Sequence, residues 1–225
     1  MFSDLAPRYD RLNRVLSLGL DQGWRRRTVR LLGLPPGARV LDLCAGTGDL
    51  AVAGGRFGWQ VHAADFSHAM LAAGRGKGGA AAPRSLVQAD ATRLPFADGV
   101  FDGVTVAFGI RNVAEPRRAL AEMRRVLRVG GRLGVLEFFR EPPSPWRSAF
   151  SAYFRHVLPR LARLAGAPRG DAYDYLPASV EDFATPEEFA AWMRDADFEP
   201  RSSRRFAGGV ARLWVGRAGV EAGAS

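Results

Sequence analysis

Cysteine and lysine are nearly absent from this chain of 225 residues, which contains one of each, Cys44 and Lys77. A single cysteine cannot form a disulfide within the chain, so the sequence fits a reducing compartment. Long hydrophobic runs are missing too, since no apolar stretch approaches the ~18 residues that a membrane-spanning helix needs. The first residues, Met1-Phe2-Ser3-Asp4, lack the basic region and apolar run of a secretion signal. These absences favour a soluble cytoplasmic protein.

The positive charge of the chain comes almost entirely from arginine. The formal net charge is +9, and the arginines are spread along the chain, with local clusters at Arg25-Arg26-Arg27 and Arg204-Arg205 among others. Nucleic-acid binding would need a dense basic patch interleaved with stacking aromatic side chains, and this spread does not favour it. A weak attraction to an anionic membrane surface is the better interpretation, because each basic residue near such a surface contributes about 1 kcal/mol.

One stretch is typical of a ligand-binding turn. Residues 40–43 predict a buried strand, Gly46 and Gly48 a tight turn, and Asp49 the start of a helix. Glycines let backbone amides approach a ligand, and the helix end presents unpaired N–H groups to an anionic group. We therefore predict that the turn containing Gly46 and Gly48 contacts a bound ligand.

Two carboxylates restrict the identity of that ligand. Asp65 closes the next apolar run, nineteen residues after Gly46, and an acidic residue about 20 residues on reaches a ribose diol in nucleotide-binding folds. The pattern Gly46-x-Gly48-x-x-Ala51 also satisfies a relaxed dinucleotide fingerprint, so a nicotinamide-dependent oxidoreductase is an alternative. Asp42, however, would repel a pyrophosphate and would suit an ammonium group. S-adenosylmethionine carries an ammonium, a carboxylate and a ribose but no phosphate, and we predict a site for it.

The apolar pattern alternates strands with helices from residue 39 onward. This alternation predicts an α/β fold with a mostly parallel, doubly wound sheet and a ligand at the carboxyl ends of its strands. We expect an amphipathic helix over Glu115–Leu127 to end at Gly130-Gly131, and a later helix to begin at Thr185-Pro186. The last two strands are expected to form an antiparallel pair that closes the sheet. The predicted strands are Arg39–Cys44, Gln60–Ala64, Arg84–Ala89, Phe101–Ala107, Arg132–Phe138, Phe198–Phe206 and Val210–Val215, and Asp49–Phe57 and Ser67–Ala73 are predicted helices.

A single domain over 1–225 is expected, because the chain is long enough for a sizeable core and 47% of it is hydrophobic. Residues 1–36 predict a helical cap of two helices separated near Gly19, which either covers the ligand edge or packs on the back of the sheet. Residues 37–139 are the predicted cofactor-binding core. Residues 140–225 are expected to supply substrate-side helices and the closing strands.

Two short segments, supported by several weaker matches, carry a resemblance to a known family. The two are Phe108-Gly109-Ile110-Arg111-Asn112 and Tyr173…Tyr175-Leu176-Pro177…Ser179; the others include Tyr9…Asn13…Ser17-Leu18-Gly19, the glycine turn, Leu94-Pro95-Phe96 and Leu136-Glu137-Phe138. On these segments the chain resembles the ubiquinone/menaquinone biosynthesis C-methyltransferases, which are class I, Rossmann-like enzymes dependent on S-adenosylmethionine. The resemblance implies C-methylation of a prenylated quinol at a membrane surface. The substrate is demethylmenaquinol or a benzoquinol of the ubiquinone pathway, with a slight preference for the former.

The resemblance also implies cofactor contacts from Thr47, Asp65, Asp90 and Ala91, with Asp65 on the ribose and Asp90 near the adenine amine. Two residues depart from the family pattern, because Ala107 and Phe139 each stand where a serine is common. Because Ala107 has no hydroxyl, the cofactor contact that a serine would make there is absent. Phe139 is expected to change the shape of the substrate side of the site.

The implied chemistry needs a phenolate, because a hydroquinone carbon becomes nucleophilic when the neighbouring hydroxyl loses its proton. A phenolic pKa near about 10 makes assistance necessary at neutral pH. Arg111 is the candidate for stabilising the phenolate, although it could instead be an ion-pair partner in a loop, and Asn112 is the candidate for holding a hydroxyl or a bridging water. His156 and Tyr153 are candidates for carrying the ring proton.

Tyr9, Asn13 and Tyr173 are further candidates for substrate contact, with packing as the alternative. The spacing of the chain predicts no metal site. We expect a cytoplasmic enzyme that meets its lipid at the inner face of the membrane, and a homo-oligomer is left open. An RNA-binding methyltransferase remains the nucleic-acid alternative.

Overall fold

The computed structural model describes residues 19–142 and 178–219 together with Arg14, Ser17 and Ala152. The described strands are β1 (Arg39–Leu43), β2 (Gln60–Asp65), β3 (Ser85–Gln88), β4 (Phe101–Ala107), β5 (Leu127–Glu137), β6 (Phe198–Phe206) and β7 (Ala211–Ala218). They form one sheet in the order β3-β2-β1-β4-β5-β7-β6. Strands β1 to β5 are parallel, and β7 is antiparallel to both β5 and β6. The predicted α/β sheet with an antiparallel closing strand is confirmed.

The described helices cover the two faces of this sheet. They are α1 (Leu20–Leu32), α2 (Asp49–Arg56), α3 (His68–Ala73), α4 (Pro116–Val126) and α5 (Pro186–Asp195). On one face, Trp24 and Leu32 of α1 and Leu50 of α2 are buried against the sheet. On the other face, α4 and α5 bury Leu120 and Phe189. Two apolar layers therefore hold the sheet between them, as in doubly wound folds.

Side-chain caps explain where two of the predicted helices begin. The Ser67 hydroxyl accepts a hydrogen bond from the amide of Met70, which makes Ser67 the N-cap of α3. Thr185 and Glu188 form a capping box before α5, and Pro186 occupies its first turn. Such a cap satisfies otherwise unpaired amides and contributes about 1 kcal/mol.

The structure corrects the predicted end of the amphipathic helix. Helix α4 ends at Val126, and Gly130-Gly131 lie inside β5 instead of terminating the helix. The strand starts early because Leu127 already pairs with Phe101 of β4, and the register then shifts before Gly103 pairs with Arg132. The chain therefore forms an irregularly paired strand where a turn was expected, and the local residue preferences do not reveal such an irregularity.

The described part of the predicted cap is α1, which packs against α2, β5 and β7 on one face of the sheet. It begins directly after Gly19, whose φ of 74° is in the left-handed region that glycine adopts readily. The helix therefore starts at the predicted break near Gly19. The first helix predicted for the cap lies outside the described residues, apart from Arg14 and Ser17. In the part of the chain that the structure describes, no helix is long and apolar enough to cross a membrane.

Candidate active site

A cavity of about 570 Å³ opens where β1, β2, β3 and β4 end. We call it the carboxyl-edge cavity; its volume lies within the range typical of small-molecule sites. Five residues predicted from the sequence line it: Gly46, Asp65, Asp90, Ala91 and Asn112. They come from four separate loops that only the parallel sheet brings to one edge. The structure thus gathers most of the predicted cofactor residues in one place.

Asp65 connects the end of β2 to the glycine turn. Its carboxylate accepts hydrogen bonds from the amide of Gly46 at 2.7 Å and from the amide of Ser67 at 2.8 Å. Burial raises the pKa of this carboxyl, and the two amides oppose the rise. Each carboxylate oxygen has a second lone pair, so Asp65 retains acceptor capacity for hydroxyls of a ligand.

Asp90 lies at the far wall of the cavity, after β3. Its Oδ1 accepts from both the amide and the hydroxyl of Thr92, each at 2.8 Å. These bonds lower the pKa of the exposed carboxyl, so it is ionised at neutral pH. A fixed carboxylate at this position can accept from an amine.

Asp42 lies beneath the turn, and its predicted contact with an ammonium group stays a prediction. The side chain is 1% exposed and does not line the carboxyl-edge cavity. The hydroxyl of Thr105, its register partner on β4, donates to Oδ1 at 2.9 Å, while Oδ2 has no partner among the described residues. Burial raises the pKa of Asp42 to about 7 despite the bond from Thr105.

The second half of the glycine turn, from Thr47 to Asp49, is held by the side chains of Lys77 and Gln22. Thr47 is 5% exposed and accepts from the Lys77 ammonium at 3.1 Å, and the same ammonium pairs with Asp49 at 2.5 Å. Gln22 of α1 donates to Asp49 at 3.0 Å. Thr47 and Gly48 shape the turn without lining the cavity, and their predicted cofactor contacts stay predictions.

Arg111 does not line the carboxyl-edge cavity either. Its Nη1 donates to Glu137 at 2.7 Å and to the carbonyl of Phe108 at 2.8 Å, and its side chain is 8% exposed. Glu137 is fully buried, and burial raises its pKa while the Arg111 charge opposes the rise. Arg111 thus forms an ion pair, and its predicted role at the phenolate stays a prediction; Asn112, the next residue, lines the cavity.

Two cavity residues, Cys44 and Phe108, adopt left-handed backbone conformations, with φ of 53° and 59°. Such conformations are uncommon for residues other than glycine, and they cluster at functional sites. Gly109 lets these two segments meet, because a Cβ there would lie 2.3 Å from the Cβ of Cys44. Burial raises the pKa of the Cys44 thiol, so it stays protonated and acts as an apolar wall.

Sequence analysis missed several cavity residues, of which Phe66 is the most exposed. Its side chain is 75% exposed and follows Asp65 directly. Its position immediately after a strand that ends in a predicted ligand carboxylate was the available signal. Tyr9, Asn13, Tyr153, His156 and Tyr173 lie outside the described residues. Within the described part, no group of three or more metal-binding side chains is present.

The profile of the ubiE/COQ5 methyltransferase family matches residues 1–218. The chain belongs to this family. A demethylmenaquinone methyltransferase of Thermus thermophilus is 48% identical over 222 residues, which are 96% of this chain and 99% of that protein. A ubiquinone/menaquinone biosynthesis C-methyltransferase of Geobacter sulfurreducens is 42% identical over 227 residues, 98% of this chain and 88% of the relative.

Solved structures agree on the fold of this methyltransferase. An S-adenosylmethionine-dependent methyltransferase of Thermotoga maritima matches with a TM-score of 0.68 and 21% identity, covering 96% of this chain and 97% of that chain. A geranyl diphosphate methyltransferase in complex with S-adenosylmethionine matches with a TM-score of 0.64 and 19% identity, covering 92% and 90%. The family and the class I, Rossmann-like fold predicted from the sequence are confirmed, and the oxidoreductase alternative is set aside.

Proposed function

We propose that this enzyme transfers a methyl group from S-adenosylmethionine to a ring carbon of a prenylated quinol, with demethylmenaquinol as the substrate. The observation that carries the proposal is Asp65, which closes β2, lines the carboxyl-edge cavity and accepts from the amide of Gly46. Family membership over residues 1–218 supports the reaction class. The Thermus relative, named for demethylmenaquinone, supports the naphthoquinol over the benzoquinol.

The residues of the carboxyl-edge cavity fit S-adenosylmethionine by the chemistry of their donors and acceptors. Asp65 would accept from the ribose hydroxyls, and Asp90 with the amide of Ala91 would hold the adenine. Phe66 and Met70 supply apolar surface beside them, which suits a flat heterocycle. When bound, S-adenosylmethionine supplies an electrophilic methyl group.

On the acceptor side, the chain must orient a quinol hydroxyl and keep its oxygen ionised. Asn112 faces the cavity and is placed to hold that hydroxyl or a bridging water. Arg111 is a positioning residue in this scheme, because its guanidinium is bound to Glu137 and to the carbonyl of Phe108. Positioning of the two reactants supplies a large share of the rate in such a transfer.

The decisive experiment incubates the full chain with methyl-labelled S-adenosylmethionine and demethylmenaquinol, followed by mass spectrometry of the extracted lipid. We expect one labelled methyl on the ring carbon. Parallel reactions with a demethylated benzoquinol decide between the two substrates. Label on a quinol oxygen, or no transfer to either quinol, would overturn the proposal.

A further inference from the structure

A second concave region, separate from the carboxyl-edge cavity, lies between α1 and α2. It has a volume of about 370 Å³ and one carboxylate, Asp49, which Lys77 and Gln22 already bind. We call it the basic groove. Its walls carry five basic side chains: Arg14, Arg26, Arg30, Arg56 and Lys77.

Helix geometry explains why these charges collect on one seam. Arg26 and Arg30 are one turn apart on α1, and Arg56 ends α2, which packs beside it. All three are exposed, and among the described residues no carboxylate pairs with any of them. Like charges one helical turn apart are destabilising, so this arrangement favours a bound anion that neutralises them.

Exposed apolar side chains occur on α1 and directly after α2, the two helices that form the groove. The described residues include five exposed large hydrophobic side chains, and three of them are on α1 or directly after α2. Leu20 is 45% exposed, Leu31 is 38% exposed and Phe57, which also lines the groove, is 39% exposed. A free phosphate ion would require only the cations, whereas arginines beside exposed leucine and phenylalanine are typical of surfaces that rest on anionic lipid.

The groove also lies next to the glycine turn. Lys77, in the wall of the groove, donates to Thr47, the neighbour of Gly46 in the carboxyl-edge cavity. A surface that docks through the groove therefore stands beside the edge where the reactants would meet.

We propose that the basic groove binds the phosphate headgroups of an anionic membrane leaflet, while the exposed side chains Leu20, Leu31 and Phe57 contact its acyl boundary. The inference rests on the proposed function in one respect, because a prenylated quinol is held in that membrane. Docking would bring the carboxyl-edge cavity to the lipid that contains the acceptor.

The test is co-sedimentation of the full chain with vesicles of phosphatidylglycerol mixed with phosphatidylcholine, and with vesicles of phosphatidylcholine alone. We expect binding to the anionic vesicles only. The double variant R26Q/R30Q should bind them about 30-fold more weakly, since each of the two arginines contributes about equally to the free energy of binding to an anionic surface. The matched control R128Q/R194Q also removes two exposed arginines, at the start of β5 and the end of α5, and should retain binding.

Three outcomes would overturn the inference: equal binding to neutral vesicles, equal loss in both double variants, or full binding by R26Q/R30Q. Displacement from the vesicles by millimolar inorganic phosphate would show a site for the free ion instead, and preferential capture of single-stranded RNA would show a nucleic-acid surface.

Methylation of a short-tailed, water-soluble quinol without vesicles should be unchanged in R26Q/R30Q. Since vesicle binding is measured without a quinol, failure of the docking and failure of the proposed reaction are distinguishable.

Discussion

Arg111 and Glu137 form a buried ion pair that ties the segment after β4 to the end of β5. Arg111 Nη1 lies 2.7 Å from Glu137 Oε1, and the two side chains are 8% and 0% exposed. The amides of Arg111 and Phe138 also donate to the Glu137 carboxylate, at 3.4 Å and 2.8 Å. Arg111 directly precedes Asn112 and also binds the carbonyl of Phe108, so the pair supports one wall of the carboxyl-edge cavity.

Arg111→Ala is expected to destabilise the protein by about 3–5 kcal/mol, because it leaves the Glu137 charge buried without its partner. Denaturant unfolding of the purified variant measures this. A loop arginine without a buried partner would leave the free energy of unfolding unchanged, so the measurement discriminates between the two roles. Arg111→Lys should recover only part of the loss, since an ammonium cannot reproduce the planar fork of the guanidinium.

Replacing both partners by apolar residues, Arg111→Met with Glu137→Leu, should restore much of the stability lost in Arg111→Ala. Methyl-transfer rates of this double variant then report whether the charge itself is needed. An Arg111→Ala enzyme that unfolds normally but turns over about 100-fold more slowly would instead support direct phenolate stabilisation.

Asp65→Ala should weaken S-adenosylmethionine binding by roughly 1.5–3 kcal/mol, the range for hydrogen bonds that involve a charged group. The variant loses the proposed acceptor for the ribose and the bond that holds the Gly46 amide. Calorimetric titration measures the affinity. The control Asp98→Ala removes an exposed carboxylate that binds Arg125 outside the cavity and should bind normally; equal affinities in the two variants would remove Asp65 from the site.

Gly109→Ala should abolish cofactor binding, because its Cβ would lie 2.3 Å from the Cβ of Cys44 and would force the two cavity loops apart. Gly23→Ala is the matched control, since a Cβ at that exposed position on α1 meets nothing within 4 Å. In a helix interior this control should stabilise the fold by about 1 kcal/mol. Thermal unfolding and calorimetry on both variants check the contrast, and normal binding by Gly109→Ala would contradict the close approach.

Asp42→Asn should stabilise the protein, and increasingly so as the pH rises. Burial raises the pKa of Asp42 from 3.8 to about 7. Below the unfolded value the carboxyl is protonated in both states; between the two values only the unfolded chain ionises, so wild-type stability falls as the pH rises until the folded pKa is passed. The advantage of the variant should therefore grow by about 2–3 kcal/mol between about pH 5 and about pH 8.

Urea unfolding at several pH values gives that difference directly. Asp98→Asn, at a carboxylate that is 79% exposed, should show no comparable trend. A constant difference between Asp42→Asn and wild type across the pH range would mean that Asp42 is ionised in the fold throughout.

Local sequence was enough for the order of strands and helices and for much of the site. Once the alternation predicts a parallel sheet, every loop that follows a strand must meet at one edge, which is why Asp65, Asp90 and Asn112 could be expected together. The helix starts at Ser67 and Thr185 were equally readable, because a cap acts within four residues. The prediction that Gly130-Gly131 ends the amphipathic helix was wrong, because the early pairing of Leu127 with Phe101 outweighed the local turn preference.

Tertiary packing decided the rest. Glu137 follows Arg111 by 26 residues and reaches it because β4 and β5 are neighbours, with Ala107 opposite Leu136. Asp42 is buried beneath the turn because β1 lies between β2 and β4 in the sheet. The basic groove exists because α1 packs beside α2, which brings Arg30 and Arg56 to one seam. Charges separated along the chain acquire partners only when the sheet and helices set their distances.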